Sequence, residues 1–388
     1  MDFMAILFLI VFLDLVGFGL VIPLLPFYVQ RVGEGPEVIT AVLGLYSLAQ
    51  FVAAPVWGRL SDTYGRKPIL VATSFGYAGS FLLLAAADTL PLLIAARAFG
   101  GLMAGNLAAA QAYVSDVTTP ENRAKGMGLI GAAFGLGFVF GPAIGGILGG
   151  DDPTTANYVT PALAAAALTV IAAVGAMLFL KESLDPARRG ATVARGYLRF
   201  DLMTVPLAML IASGFLVIGG WAQFETIFGL WANAVMDYGP RRVGFVMTFM
   251  AVVSAIIQAG LIGPLTRRVA EARIAGASLV ILAGGYLLLA GADRLPLLLA
   301  AATLLAIGTA LFTPTLSSLI SKQAGAGDQG AVLGAYQSAT ALARFAGPAV
   351  AGSVYAGFSR SAPFVLAAIL AIPAAGLLAG TAQSRFSK

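Results

Sequence analysis

The chain has 388 residues, of which 59% are hydrophobic and only 11% charged, against about 25% charged in an ordinary soluble domain. That composition excludes a water-soluble globule. The absence of cysteine and histidine excludes disulfides, thiolate or imidazole metal centres and conventional Ser-His or Cys-His catalysis, and the net charge of +5 is divided among apolar segments, so no basic stripe for nucleic acid forms.

Crossing a hydrocarbon core of roughly 30 Å takes about 20 mostly apolar residues, and twelve stretches meet that requirement. The first, 3–29, is much longer than the apolar region of a cleaved signal peptide and reads as a span. It carries Asp14 near its middle, where an ionised carboxylate needs a partner, water or a proton. The second, 38–59, holds Gln50 and leads into Gly58–Lys67, whose glycines Gly58 and Gly65 permit a tight turn. Asp62 and Arg66 in that run can join neighbouring helix ends by charge-assisted hydrogen bonds. After the third span, 68–87, the fourth, 90–115, contains Arg97, Asn106 and Gln111 and stops at Asp116. The fifth, 125–149, is a stripe of small residues, with Gly137, Gly141, Gly145 and Gly146 around Pro142. Glycines at a spacing of four let helices approach closely, and the proline favours a kink. The sixth span is 159–180.

A polar, basic segment, 181–202, is the natural linker between an N-terminal six-helix bundle, 1–180, and a C-terminal one, 203–388. The seventh span, 203–234, carries Trp221, Gln223 and Glu225; the eighth, 243–265, Gln258; the ninth, 273–291, Tyr286. The tenth, 295–320, is followed by the eleventh, 329–357, with Tyr336, Gln337 and Arg344, and the twelfth, 361–381. Arg344 lies near mid-depth and Glu225 is its expected partner, in a static ion pair or one that protonation releases. The amide and aromatic groups Gln50, Asn106, Gln111, Trp221, Gln223, Gln258, Tyr286, Tyr336 and Gln337 either line a cavity for an amphiphilic ligand or bond helix to helix.

Counting Lys and Arg loop by loop places sixteen on one side and five on the other, so the positive-inside rule puts both termini in the cytoplasm. An internal repeat supports the same division. Ala87-Asp88-Thr89-Leu90-Pro91-Leu92-Leu93-Ile94-Ala95-Ala96 matches the segment from Ala292 to Ala301 at eight of ten positions, an offset of 205 residues. At nearly that offset Gly141-Pro142 matches Gly347-Pro348. Two halves of equal topology suit a carrier that rocks around a midplane site.

Gly58-Arg59-Leu60-Ser61-Asp62-Thr63-Tyr64-Gly65-Arg66-Lys67 resembles the signature loop of the major facilitator superfamily. Leu13-Asp14-Leu15-Val16-Gly17-Phe18-Gly19-Leu20 with Pro23 and Pro26, and the Gly-Pro run of the fifth span, resemble its twelve-span drug/proton antiporters, tetracycline exporters included. The resemblance implies an all-α integral membrane protein with twelve transmembrane helices in two pseudo-symmetric six-helix bundles. It further implies a conformational latch at Asp62, Arg66 and Asp116, and proton handling by Arg97 with nearby carboxylates. Where tetracycline exporters carry aspartates in spans 3 and 9, this chain has Ser80 and Leu282, so only the subfamily likeness carries over. The expected function is alternating-access transport, as proton-coupled export of a small amphiphilic or drug-like compound; a uniporter or symporter of a polar metabolite or lipid is the alternative. Asp14 and Glu225, with Arg97 and Arg344, are the expected coupling groups. No cofactor is expected, no metal, and no enzymatic activity. A monomer in a prokaryotic plasma membrane completes the expectation.

Overall fold

A computed structural model describes residues 3–184, 203–323 and 329–383; residues 185–202 of the expected linker lie outside the described residues. The described chain is helical and contains no strand. In order the helices are α1 (Phe3–Val21), α2 (Leu25–Arg31), α3 (Pro36–Tyr64), α4 (Arg66–Ala85), α5 (Leu90–Met103), α6 (Asn106–Val117), α7 (Pro120–Gly149) and α8 (Val159–Phe179). They continue as α9 (Val205–Met236), α10 (Pro240–Ile256), a π-helical turn (Ile257–Leu261), α11 (Ile262–Arg268), α12 (Glu271–Ala290), α13 (Leu295–Ser321), α14 (Gln329–Gly357) and α15 (Ala362–Gln383). Proline stands in the first turn of α2, α3, α5, α7, α9 and α13, where its missing N–H removes no intrahelical bond.

Ten of the described helical segments are long and apolar enough to cross a membrane. The two other expected spans differ for readable reasons. Span 4 is broken after Met103 into α5 and α6, and span 11, α14, is 29 residues long but carries Gln337, Ser338, Thr340 and Arg344 in its middle. Span 1 also breaks, at the turn before Pro26, and span 8 is interrupted by the π turn that holds Gln258. In lipid such breaks persist only where side chains or neighbouring helices take up the freed backbone groups.

The chain forms two compact units. Unit 1 is Met1–Gly35, Leu45–Gly196 and Tyr238–Thr248; unit 2 is Pro36–Gly44, Tyr197–Asp237 and Phe249–Lys388. The core of unit 1 contains Leu7, Ile10, Leu70, Tyr113, Val114, Ala133 and Ala176 from α1, α4, α6, α7 and α8. Within it α1 and α7 pack backbone to backbone. A Cβ on Gly137 would overlap Leu15, one on Gly141 would lie 2.6 Å from the Cα of Gly19, and one on Gly145 would strike the Leu20 carbonyl. The stripe serves two faces, because Gly146 and the Pro142 carbonyl turn to α10: a Cβ on Gly146 would sit 3.0 Å from the Pro240 oxygen and one on Gly244 would strike the Pro142 oxygen.

Unit 2 repeats this contact. A Cβ on Gly352 of α14 would meet Thr40 and lie 2.9 Å from the Pro36 oxygen in the first turns of α3. Gly146 and Gly352 are one repeat apart, as are Pro240 and Pro36, so the internal homology is expressed as the same helix contact made twice. The first turns of a second span pack on the fifth span of the other sequence half in both cases.

Candidate functional site

Three polar constellations stand out in unit 1. The first surrounds Asp14, which is 3% exposed and accepts hydrogen bonds at Oδ2 from Ser74 Oγ (3.0 Å) on α4 and Asn106 Nδ2 (2.6 Å) on α6. Its Oδ1 has no partner and the residue forms no ion pair among the described residues. Asn106 can reach it because span 4 breaks just ahead of it. The break frees carbonyls that α3 takes up: Trp57 Nε1 donates to Leu102 O at 2.5 Å and Gln50 Nε2 to Ala104 O at 3.5 Å. Gly105 is required there, since a Cβ would overlap the Trp57 ring. Gln50 thus braces the break, and Asn106 becomes the first residue of a new helix whose amino end faces the carboxylate.

The second constellation is aromatic. Arg97, 8% exposed, places its guanidinium 4.6 Å from the centre of the Tyr46 ring, a cation–π contact. Tyr46 stacks on Phe18 at 5.3 Å, its hydroxyl donates to the Tyr77 hydroxyl at 3.4 Å, and Tyr77 lies 4.6 Å from Phe81. Asp14 and Arg97 therefore belong to one bundle without forming an ion pair.

The third joins four chain segments at one end of the unit. Arg66 Nη1 donates to Asp62 Oδ1 (2.5 Å) and Ser61 Oγ (3.0 Å), and its Nε to Asp116 Oδ2 (2.9 Å). The turn itself is a single residue, Gly65, at φ 110° and ψ 163°, a conformation open essentially to glycine alone. With no side chain at that position, the amino end of α4 is capped from elsewhere. Glu182, just past α8, accepts from the backbone N–H of Arg66 at 2.8 Å and of Lys67 at 3.3 Å, and Ser183 Oγ donates to Asp116 Oδ2 at 3.1 Å. Sequence reasoning missed Glu182 and Ser183. The only signal was an acid two residues past an apolar span, at the start of a segment rich in Arg.

Elsewhere the expected residues disperse. Gln111 is exposed on α6. In unit 2, Gln223, Tyr286 and Tyr336 are buried, Trp221 is half-buried with its ring 5.1 Å from Phe224, and Gln258 and Gln337 are exposed. The expected Glu225–Arg344 ion pair is not formed. Arg344 is exposed and makes no ion pair among the described residues. Register contributes to this: α9 and α14 run parallel, with a Cβ on Gly219 3.9 Å from Ala343 O and one on Gly347 3.1 Å from Ala222, which sets Glu225 about 9 Å along α9 from the level of Arg344 at 1.5 Å rise per residue. Among the described residues no cluster of three metal-ligating side chains occurs.

Comparison with known proteins gives a consistent picture. The family profile described as Major Facilitator Superfamily matches residues 7–290 and 243–383. The class C tetracycline resistance protein of Escherichia coli is 31% identical over 360 residues, covering 89% of this chain and 87% of that protein. Multidrug resistance protein 2 of Bacillus subtilis (strain 168) is 28% identical, covering 95% and 92%. Among solved structures, the human organic anion transporter MFSD10 (TETRAN) superposes with a TM-score of 0.75 at 26% identity, covering 97% of this chain and 98% of that one.

Proposed function

Since the chain belongs to the Major Facilitator Superfamily and is a multi-pass membrane transporter, not an enzyme, we propose that it exports a small amphiphilic or drug-like compound in exchange for protons, with Asp14 carrying the proton. The observation that bears this reading is the setting of Asp14: a buried mid-span carboxylate held by two neutral donors, with no cation paired to it among the described residues. A carboxylate so placed gains by taking a proton whenever its hydration is withdrawn. Protonation converts an acceptor of two hydrogen bonds into a group that also donates one, so the bond to Asn106, and through it the seating of α6 against α1, differs between the two states. Binding and release of the proton thereby act on the broken fourth span. Arg97, fixed over Tyr46, supplies a permanent positive charge to the same bundle.

Two further features fit a carrier that changes conformation. The Asp62–Arg66–Asp116 cluster with its Glu182 cap is a set of charge-assisted bonds at helix ends, suited to latch one state. The paired contacts of α7 with α10 and α14 with α3 lie at the ends expected to face outward, and must part for that side to open. The tetracycline and multidrug resistance relatives support export, in a bacterial inner membrane.

The test is flux in sealed proteoliposomes with tetracycline, ethidium and 2-naphthylacetate as probes. Uptake of at least one probe should rise when the interior is made acid, while Asp14→Asn should keep downhill exchange of that probe and lose the response to the gradient. An unaltered gradient response in Asp14→Asn would overturn the assignment.

A further inference from the structure

Arg344 stands midway along α14, in unit 2, exposed and outside every hydrogen bond and ion pair of the described residues. Facing hydrocarbon, a guanidinium at that depth would be strongly disfavoured; its neighbours show that it faces elsewhere. On one flank α14 meets α9, where a Cβ on Gly219 would lie 3.9 Å from Ala343 O and one on Gly347 would be 3.1 Å from Ala222. On another flank it meets the start of α3, where a Cβ on Gly44 would be 3.3 Å from Pro348 and 3.5 Å from Phe345 O. At 100° per residue, the side chain between Ala343 and Phe345 leaves the helix between these two flanks. The same stripe continues two turns away as the exposed Gln337. Arg344 and Gln337 thus share one exposed polar stripe between two protein-covered flanks, the setting in which an intramembrane charge turns to the bundle interior or a water-filled cavity instead of lipid.

We propose that Arg344 is the anion-recognising group of the transport pathway, so that the compound carried is an amphiphile bearing a carboxylate or comparable anionic group. The guanidinium offers a planar fork that matches two carboxylate oxygens, and no ion pair among the described residues joins Arg344 to Glu225 or to any other acid. Gln337, seven residues earlier on the same stripe, offers a second hydrogen-bonding group about 10 Å from the first, a separation suited to a ligand with an apolar body between two polar ends. The proposal rests on the reading of this chain as a carrier of amphiphiles and adds the sign of the charge.

Binding to the purified full chain in detergent tests it, with three probes of one shape: 2-naphthylacetate, its neutral amide and 2-naphthylmethyl-trimethylammonium. The acetate should bind most tightly to the wild type, by about tenfold or more over the amide, and Arg344→Gln should abolish that preference, bringing the acetate to the affinity of the amide. Arg344→Lys should retain part of it, because charge survives and the fork does not. A trimethylammonium probe bound as tightly as the acetate, or equal acetate affinity in wild type and Arg344→Gln, overturns the proposal while leaving proton-coupled export standing. Binding of none of the three counts against both readings. Thermal unfolding of each variant separates loss of the site from loss of the fold.

Discussion

If Gly65 and Glu182 form one structural device, their substitutions must be coupled. Gly65→Ala faces two costs. The backbone at φ 110°, ψ 163° is strained for any side chain by about 1–3 kcal/mol. The new methyl also overlaps the Glu182 carboxylate, which must withdraw from the Arg66 and Lys67 N–H groups it caps at 2.8 and 3.3 Å. Losing a helix cap costs about 0.5–2 kcal/mol. Glu182→Ala alone removes only the cap. In the Glu182→Ala background, Gly65→Ala then costs only the backbone strain, so the two single effects should exceed the double by about 1 kcal/mol. Equilibrium unfolding in mixed micelles, followed by tryptophan fluorescence for wild type, both singles and the double, gives the coupling directly. Additivity within about 0.3 kcal/mol would refute the shared-cap reasoning and leave Glu182 as an incidental neighbour.

Other substitutions test the remaining geometry. Trp57→Phe leaves the Leu102 carbonyl without its donor and should cost about 0.5–1.5 kcal/mol in the same unfolding assay. Gly145→Leu drives a side chain into the backbone of α1 and should cost at least about 1–3 kcal/mol, whereas Gly131→Ala, with nothing within 4 Å of its Cβ position, should cost nothing measurable. Gly146→Val and Gly352→Val disturb the two repeat-related contacts with α10 and α3, and both should slow probe flux by a similar factor. Gly357→Val, which meets nothing, is the control, and a flux defect there equal to the others would argue against the pairing.

The sequence alone determined what depends on composition and local spacing. Apolar length set the spans and offset identity the repeat, while the glycine-bounded run Gly58–Lys67 marked a tight turn where Asp62 and Arg66 could join neighbouring helix ends. What it could not reach depends on register between segments far apart in the chain. Asp14 announced itself as a buried acid, but Ser74 reaches it from α4 by packing alone, and Asn106 reaches it because of the break at Gly105, which a hydrophobic run from 90 to 115 conceals. The fifth-span glycines read as one packing stripe, yet a helix has more than one face, and only packing assigned Gly137, Gly141 and Gly145 to α1 and Gly146 to α10. Glu182 was invisible as a cap because it lies 116 residues from the Arg66 amide it binds. Glu225 and Arg344 suited each other in charge and approximate depth, but whether two residues on different helices meet is settled by how the helices slide against each other, and here the close fit of Gly347 against Gly219 and Ala222 holds them apart.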